Sequence, residues 1–250
     1  MKILLINPNT TEALTELLTG AARKVLPEGV TLDCITATTG VPYISTRTEA
    51  VLGGLSVLEI LAERHHKYDG AIVAAFGDPG LGAARELFDI PVVGLAEAGM
   101  LTACMLGGQF SIVTFAQALG PWYRECVDWH RLGARCASIR MLDGEFHSIS
   151  DVQEEKADLL VDLTMRAVDE DGADVIVLAG APLSGLAEQV RDRIPVPIVD
   201  CAAAALRQAV TLAALRPVGA SRGGFARPAA KPSIGLSDAL AARIARADRA

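Results

Sequence analysis

Aromatic residues are scarce in this 250-residue chain, at 4%, and no basic excess exists: 23 Lys and Arg stand against 30 Asp and Glu, a net charge of −7. A nucleic-acid partner is therefore not expected, because phosphate neutralisation needs a basic face. The sequence also lacks an uninterrupted apolar run of about 20 residues, the length that spans a bilayer, so no membrane partner is expected. The opening Lys2-Ile-Leu-Leu-Ile-Asn7 is too short in apolar residues for a signal peptide. The five cysteines (Cys34, Cys104, Cys126, Cys136 and Cys201) form no C-x-x-C pair and have no histidine at an evident ligand spacing. They read as reduced thiols of a cytoplasmic protein, and no metal is expected. No P-loop is present, and no G-x-G-x-x-G follows the first strand, so a dinucleotide fold is not indicated.

What the chain does have is a hydrophobic content of 51%, rich in Ala, Leu, Val and Gly, which suits close packing of helices on sheets. Short apolar runs alternate with helical patterns throughout. Strands are predicted at 3–6, 31–36, 71–75, 91–95, 110–114, 137–141, 175–178 and 197–199. Helices are predicted at 12–25, 49–65, 121–130, 152–170 (capped by Ser150 or Asp151) and 202–215, with shorter ones to about 87 and 190. Unbroken apolar strands joined by helices imply an α/β fold with mostly parallel sheets flanked by helices.

The order also repeats. Residues 75–95 and 179–200 each run from an apolar strand through a Gly-x-Pro turn and a small-residue helix to a second strand beginning with proline. Aligning Gly77-Asp78-Pro79 with Gly180-Ala181-Pro182 sets the repeat at 103 residues. Duplication predicts two pseudo-symmetric lobes facing each other across a cleft at the carboxyl ends of their strands. The expected division is 1–98 with 200–216 as the first lobe and 99–199 as the second. Residues 217–250 are expected to form an arm and a short helix from Asp238. The high apolar fraction suggests a homo-oligomer.

Strand-end loops are where ligands bind in such sheets, and four stand out. In Asn7-Pro8-Asn9-Thr10, amides and a hydroxyl beside a helix start can hold a carboxylate or ureido group; the same residues are common caps. In Gly77-Asp78-Pro79-Gly80, Asp78 is a base, an orienting group or a helix cap. Gly180-Ala181-Pro182 leads to Ser184, which lacks the strained elbow of a hydrolase nucleophile. The polar stretch holding Tyr43, Ser45, Thr46 and Arg47 offers a cation for an anionic substrate, and Thr114 follows the fifth strand. His65 and His66 close a helix, while His130 and His147 read as surface residues.

Together, Ile6-Asn-Pro-Asn-Thr10, Phe76-Gly-Asp-Pro-Gly-Leu81 and Phe110-Ser-Ile-Val-Thr114 resemble hydantoin and allantoin racemases of the aspartate/glutamate/hydantoin racemase superfamily, over about residues 1–216. The resemblance implies two α/β lobes, no cofactor, a site at the lobe interface and racemisation of a small amino-acid-derived carboxylate or a hydantoin or ureido compound. It also implies two cysteines, one per lobe, that take a proton from one face of the carbon and return one to the other. At those positions this chain has Ala75 and Gly180. The two-thiol mechanism is therefore absent, and no other thiol is expected in the cleft. Asp78 with Tyr43 or a water molecule is the candidate replacement. A decarboxylase or other lyase on the same scaffold, needing an oxyanion loop and one proton donor, and a non-catalytic ligand-binding protein remain alternatives.

Overall fold

The computed structural model describes residues 1–142 and 152–247, apart from the side chain of Glu155. Ser150, Asp151 and His147 lie outside the described residues.

Two four-stranded parallel sheets share one topology. The first, in the order β2-β1-β3-β4, uses β1 (Lys2–Asn7), β2 (Thr31–Thr36), β3 (Gly70–Val73) and β4 (Val92–Gly94). The second, in the order β6-β5-β7-β8, uses β5 (Phe110–Thr114), β6 (Cys136–Met141), β7 (Val175–Leu178) and β8 (Ile198–Asp200). Strands β1, β3, β5 and β7 are buried on both faces and mostly apolar, because both faces are covered. Along β1, Ile3 and Leu5 point into a core that continues into the second sheet. Leu4 and Ile6 point the other way, into a smaller core with Val57, Leu61, Val73 and Leu240.

The helices α1 (Glu12–Arg23), α2 (Arg47–Arg64), α3 (Leu81–Leu87), α4 (Leu95–Leu106), α5 (Gly120–Trp129), α6 (Val152–Asp171), α7 (Leu186–Val190), α8 (Cys201–Leu215) and α9 (Asp238–Ile244) fill the layers. Helix α1 buries Leu14, Leu18, Ala21 and Ala22, the spacing of one helical face. Two helices exchange sheets. Helix α4 follows the first sheet yet packs on β7 and β8, and α8 follows the second sheet yet packs on β3 and β4. After an extended stretch, α9 returns to α2. Arg243 anchors it, donating to the Leu87 carbonyl at 2.8 Å and pairing with Asp89 at 3.0 Å.

The repeat is real, but its register differs from the sequence alignment. Ala74 N–H donates to the Ile6 carbonyl, and Ala179 N–H donates to the Val113 carbonyl. The turns then close identically: Asp78 N–H to Ala75 C=O, and Leu183 N–H to Gly180 C=O. Left-handed Gly80 and Gly185 precede α3 and α7. Ala75 therefore corresponds to Gly180, a spacing of 105 residues rather than 103. Aligning the glycine–proline motifs was misleading because glycine and proline recur wherever a chain turns, whereas strand hydrogen bonds admit one register.

Candidate functional site

The two turns, Ala75–Gly80 and Gly180–Gly185, leave their sheets toward each other, and aromatic side chains line one wall between them. Tyr123 of α5 touches both. Its ring centroid lies 4.5 Å from that of Phe76, and a Cβ built on Gly180 would stand 3.5 Å from its hydroxyl oxygen. Tyr43, from the loop before α2, meets Phe115, just past β5, at 5.9 Å. The first-sheet and second-sheet loops thus share one aromatic wall.

The two phenols differ. Burial pushes both well above the usual tyrosine range, so both hydroxyls are held protonated as donors. The Tyr123 hydroxyl is hydrogen-bonded to Thr114, whose own hydroxyl donates to the Ala179 carbonyl at 2.9 Å. The Tyr43 hydroxyl is buried and, among the described residues, has no hydrogen-bond partner. A buried donor left unpaired costs about 1–3 kcal/mol, which makes this oxygen the conspicuous polar group of the wall.

The remaining candidates divide into scaffold and rim. Asn7 is fully buried and donates to Asn9 Oδ1 (3.0 Å), the Thr11 carbonyl (3.2 Å) and Thr15 Oγ1 (2.9 Å). Asn9 Oδ1 also takes the Thr11 N–H, while among the described residues no partner takes its Nδ2. Thr10 N–H binds the Val41 carbonyl. Thr46 and Glu49 form a capping box at the start of α2, and Ser45 donates to the Glu49 carboxylate. Arg47 opens α2 at the surface and grips Glu125 of α5, its Nε 3.0 and 2.8 Å from the two oxygens. Ala181, Pro182 and Ser184 are buried, and Gln153 of α6 donates to the Pro182 and Ser184 carbonyls, each at 2.8 Å.

Asp78 sits behind the first turn with its side chain 2% exposed. Helix α4 begins at Gly94, which has no side chain to cap it. Asp78 supplies the cap from 18 residues away: Oδ1 accepts Ala96 N–H at 2.8 Å and Oδ2 accepts Glu97 N–H at 2.9 Å. Gly94 must be glycine here, since a Cβ would lie 2.3 Å from the Asp78 carboxyl carbon.

Two sequence expectations need correction at this point. His130 is not a surface residue: its side chain is 5% exposed, and Nε2 lies 3.0 Å from Asp78 Oδ2. A thiol also stands beside the first turn, because Gly77 N–H donates to the Cys126 sulfur. Cys126, Asp78, Gly77, Trp122 and Trp129 line a cavity of about 650 Å³ on the side of the turn facing α2 and α5. Tyr123, Cys126 and His130 recur at three- and four-residue spacing, so the signal was the inner face of one helix. Reading His130 as solvated ignored that periodicity.

Comparison with known proteins follows the same geometry. The Asp/Glu/Hydantoin racemase family model matches residues 3–209. The chain belongs to that family. It is 36% identical over 217 residues to a hydantoin racemase of Paenarthrobacter aurescens, covering 86% of this chain and 92% of that one. The structure is similar to allantoin racemase from Klebsiella pneumoniae, with a TM-score of 0.90 and 33% identity, covering 96% and 98% of the two chains. It is also similar to allantoin racemase from Pseudomonas fluorescens, with a TM-score of 0.87 and 31% identity, covering 94% and 100%. Within the family, then, this member has a methyl group at Ala75 and a bare backbone at Gly180. Gly180 adopts φ +110° and ψ 141°, and a Cβ there would stand 2.8 Å from the Phe115 ring. A side chain at that position is strained by the backbone conformation and crowded by the Phe115 ring.

Proposed function

We propose that this family member is a cofactor-independent isomerase that inverts a stereocentre in a small hydantoin or ureido compound, or a related amino-acid-derived carboxylate, between the Ala75 and Gly180 turns. The observation that carries this reading is the unpartnered, buried Tyr43 hydroxyl in the wall the two turns share. The carbon of such substrates lies next to a carbonyl, so removing its proton yields an enolate whose oxygen needs a donor. Tyr43, held protonated, is that donor; the carbon's proton leaves to a water in the volume left by Ala75, which passes it to solvent, and a solvent proton delivered to the opposite face of the carbon completes the inversion. Asn9 and Thr10 hold the polar rim of the substrate, and Thr114 orients the Tyr123 hydroxyl behind it. Asp78 and the backbone of Gly77, Pro79, Ala181 and Pro182 position the turns. Ser45 and Thr46 set the approach of the Tyr43 loop, and Arg47 ties that loop to α5.

A decarboxylase on the same turns is the second reading. It is favoured by the phenols being held protonated while neither Ala75 nor Gly180 supplies a base, since loss of CO₂ generates an enolate without one. Hydantoins, allantoin and amino acids incubated in heavy water separate the readings. Deuterium incorporation with inversion is expected. Release of CO₂ from a malonate-type substrate would favour the second reading, and saturable binding without exchange would sink both.

The same reading divides the chain into lobes 1–98 with 200–216 and 99–199, followed by the arm. It places the protein in the cytoplasm, on the strength of its free cysteines. It also makes the protein a homo-oligomer, with exposed Val51, Leu52, Leu55 and Trp129 as apolar surface available for burial.

A further inference from the structure

We infer that Asp78, Cys126 and His130 form a binding site for one zinc-like divalent ion behind the first turn, with the fourth coordination position facing the cavity that Asp78 and Cys126 line. One ligand atom from each residue lies within 4.8 Å of the other two, and His130 Nε2 is 3.0 Å from Asp78 Oδ2. Tetrahedral zinc with bonds of about 2.0–2.3 Å needs its ligand atoms about 3–4 Å apart, so small side-chain rotations suffice. One sulfur, one imidazole nitrogen and one carboxylate oxygen suit a borderline-soft ion better than magnesium or calcium.

Charge points the same way. Asp78 and Glu97 are both largely withdrawn from water. Arg85 is committed to Glu97 through two contacts of 2.9 and 2.5 Å. Asp78 is left with two helix N–H groups and the His130 imidazole, and among the described residues no lysine or arginine pairs with it. A divalent cation would supply the missing charge.

Each ligand is also held from behind, as metal ligands are. The Ala96 and Glu97 N–H groups fix the Asp78 carboxylate. Gly77 N–H reaches the Cys126 sulfur. His130 turns Nδ1 toward Glu97 Oε1 at 3.7 Å and packs edge-on against Trp129, with centroids 4.8 Å apart. On binding, Nε2 goes to the ion with the ring proton carried on Nδ1, which faces Glu97, and Cys126 loses its thiol proton to solvent. Sequence spacing did not suggest a metal, because the three ligands come from two segments about 50 residues apart.

The test uses the full chain stripped with a chelator and titrated with cobalt(II) alone. The expected result is a thiolate-to-cobalt absorption band that saturates at a single equivalent, is lost in Cys126→Ser and is retained in Cys104→Ser. Should Cys126→Ser fail to fold, the wild-type protein is labelled with iodoacetamide in mild urea with and without zinc, and the modified cysteines are mapped by mass spectrometry. Zinc should protect Cys126 selectively. No cobalt uptake at micromolar concentration, a band that survives Cys126→Ser, or equal labelling of Cys126 with and without zinc would each overturn the proposal. None of these readouts depends on isomerase activity.

Discussion

The turns at Ala75 and Gly180 follow the same backbone path, yet they are tied down in opposite directions. In the first lobe the turn supplies the carboxylate: Asp78 reaches forward and caps α4. In the second the helix supplies it: Asp200 caps its own helix α8 through Ala202 and Ala203 N–H and accepts Gly185 N–H at 2.5 Å from the turn. Both arrangements solve one problem, since the first N–H groups of a helix have no internal partner and the strand-end turn lies directly over them. The position of the capping residue is free to drift as long as a carboxylate reaches that point. The turns differ more in what surrounds them. The first is backed by Asp78, His130 and Cys126, all polar or ionisable. The second is backed by Phe115, Tyr123 and the carbonyl-bound Gln153.

This asymmetry can be tested by exchange. The largest expected effect is on turnover. Tyr43→Phe should lower exchange of the substrate proton by about 10²–10³-fold, the usual contribution of a donor to a developing oxyanion. It should leave stability unchanged or slightly raised, because the lost hydroxyl has no partner among the described residues. Parallel kinetics and urea unfolding would check both halves, and an equal loss in the two would remove Tyr43 from the reaction. The lobes can next be compared by restoring thiols. Gly180→Cys should cost about 1–3 kcal/mol from backbone strain alone, plus the contact with Phe115. Ala75→Cys should cost far less, since nothing there requires glycine. Equal unfolding midpoints would refute the claim that, of the two corresponding positions, only Gly180 resists a side chain.

The caps come third. Asp78→Ala leaves two α4 N–H groups without their acceptor and should destabilise by about 1–3 kcal/mol. The same variant should harm activity more than Ser184→Ala, which touches no cap; matched activity losses in the two variants would count against a positioning role for Asp78. A smaller effect belongs to the edge of the second sheet. Arg140 of β6 holds the Asp171 carboxyl below its ordinary range, chiefly through a hydrogen bond. That stabilisation is present at neutral pH and is lost as pH falls through the lowered value, below the ordinary aspartate range of about 3.9. Arg140→Gln should therefore lower stability by up to about 1 kcal/mol at pH 7 and converge on wild type near pH 2. A constant difference across that range would show that charge is not the cause. Smallest of all, Arg47→Ala should leave Tm within error, because its pair with Glu125 is fully at the surface.

Much of the site was legible in the sequence only as a set of loops. Asn7, Asn9, Gly77, Asp78 and Gly180 were recognisable because strand ends followed by glycine, proline and asparagine mark where a parallel sheet turns. Their individual jobs were not. Asp78 reads equally as a base or a cap until the position of Ala96 N–H is known, and Asn7 reads as a ligand group until its three internal acceptors appear. Tyr123, Cys126 and His130 were missed because they sit in a helix, far in sequence from any strand end.

Local residue chemistry by itself determined the alternation of buried strands with helices, the parallel α/β class and the duplication. These follow from hydrophobic period, turn residues and composition, all of which act over a few residues. Only the tertiary structure decided the 105-residue register, the crossing of α4 and α8 between sheets, the phenol left unpaired, and the meeting of Asp78 with Cys126 and His130. Those depend on which distant hydrogen-bonding groups come within about 3 Å of each other, and distance through space is not written in the order of the residues.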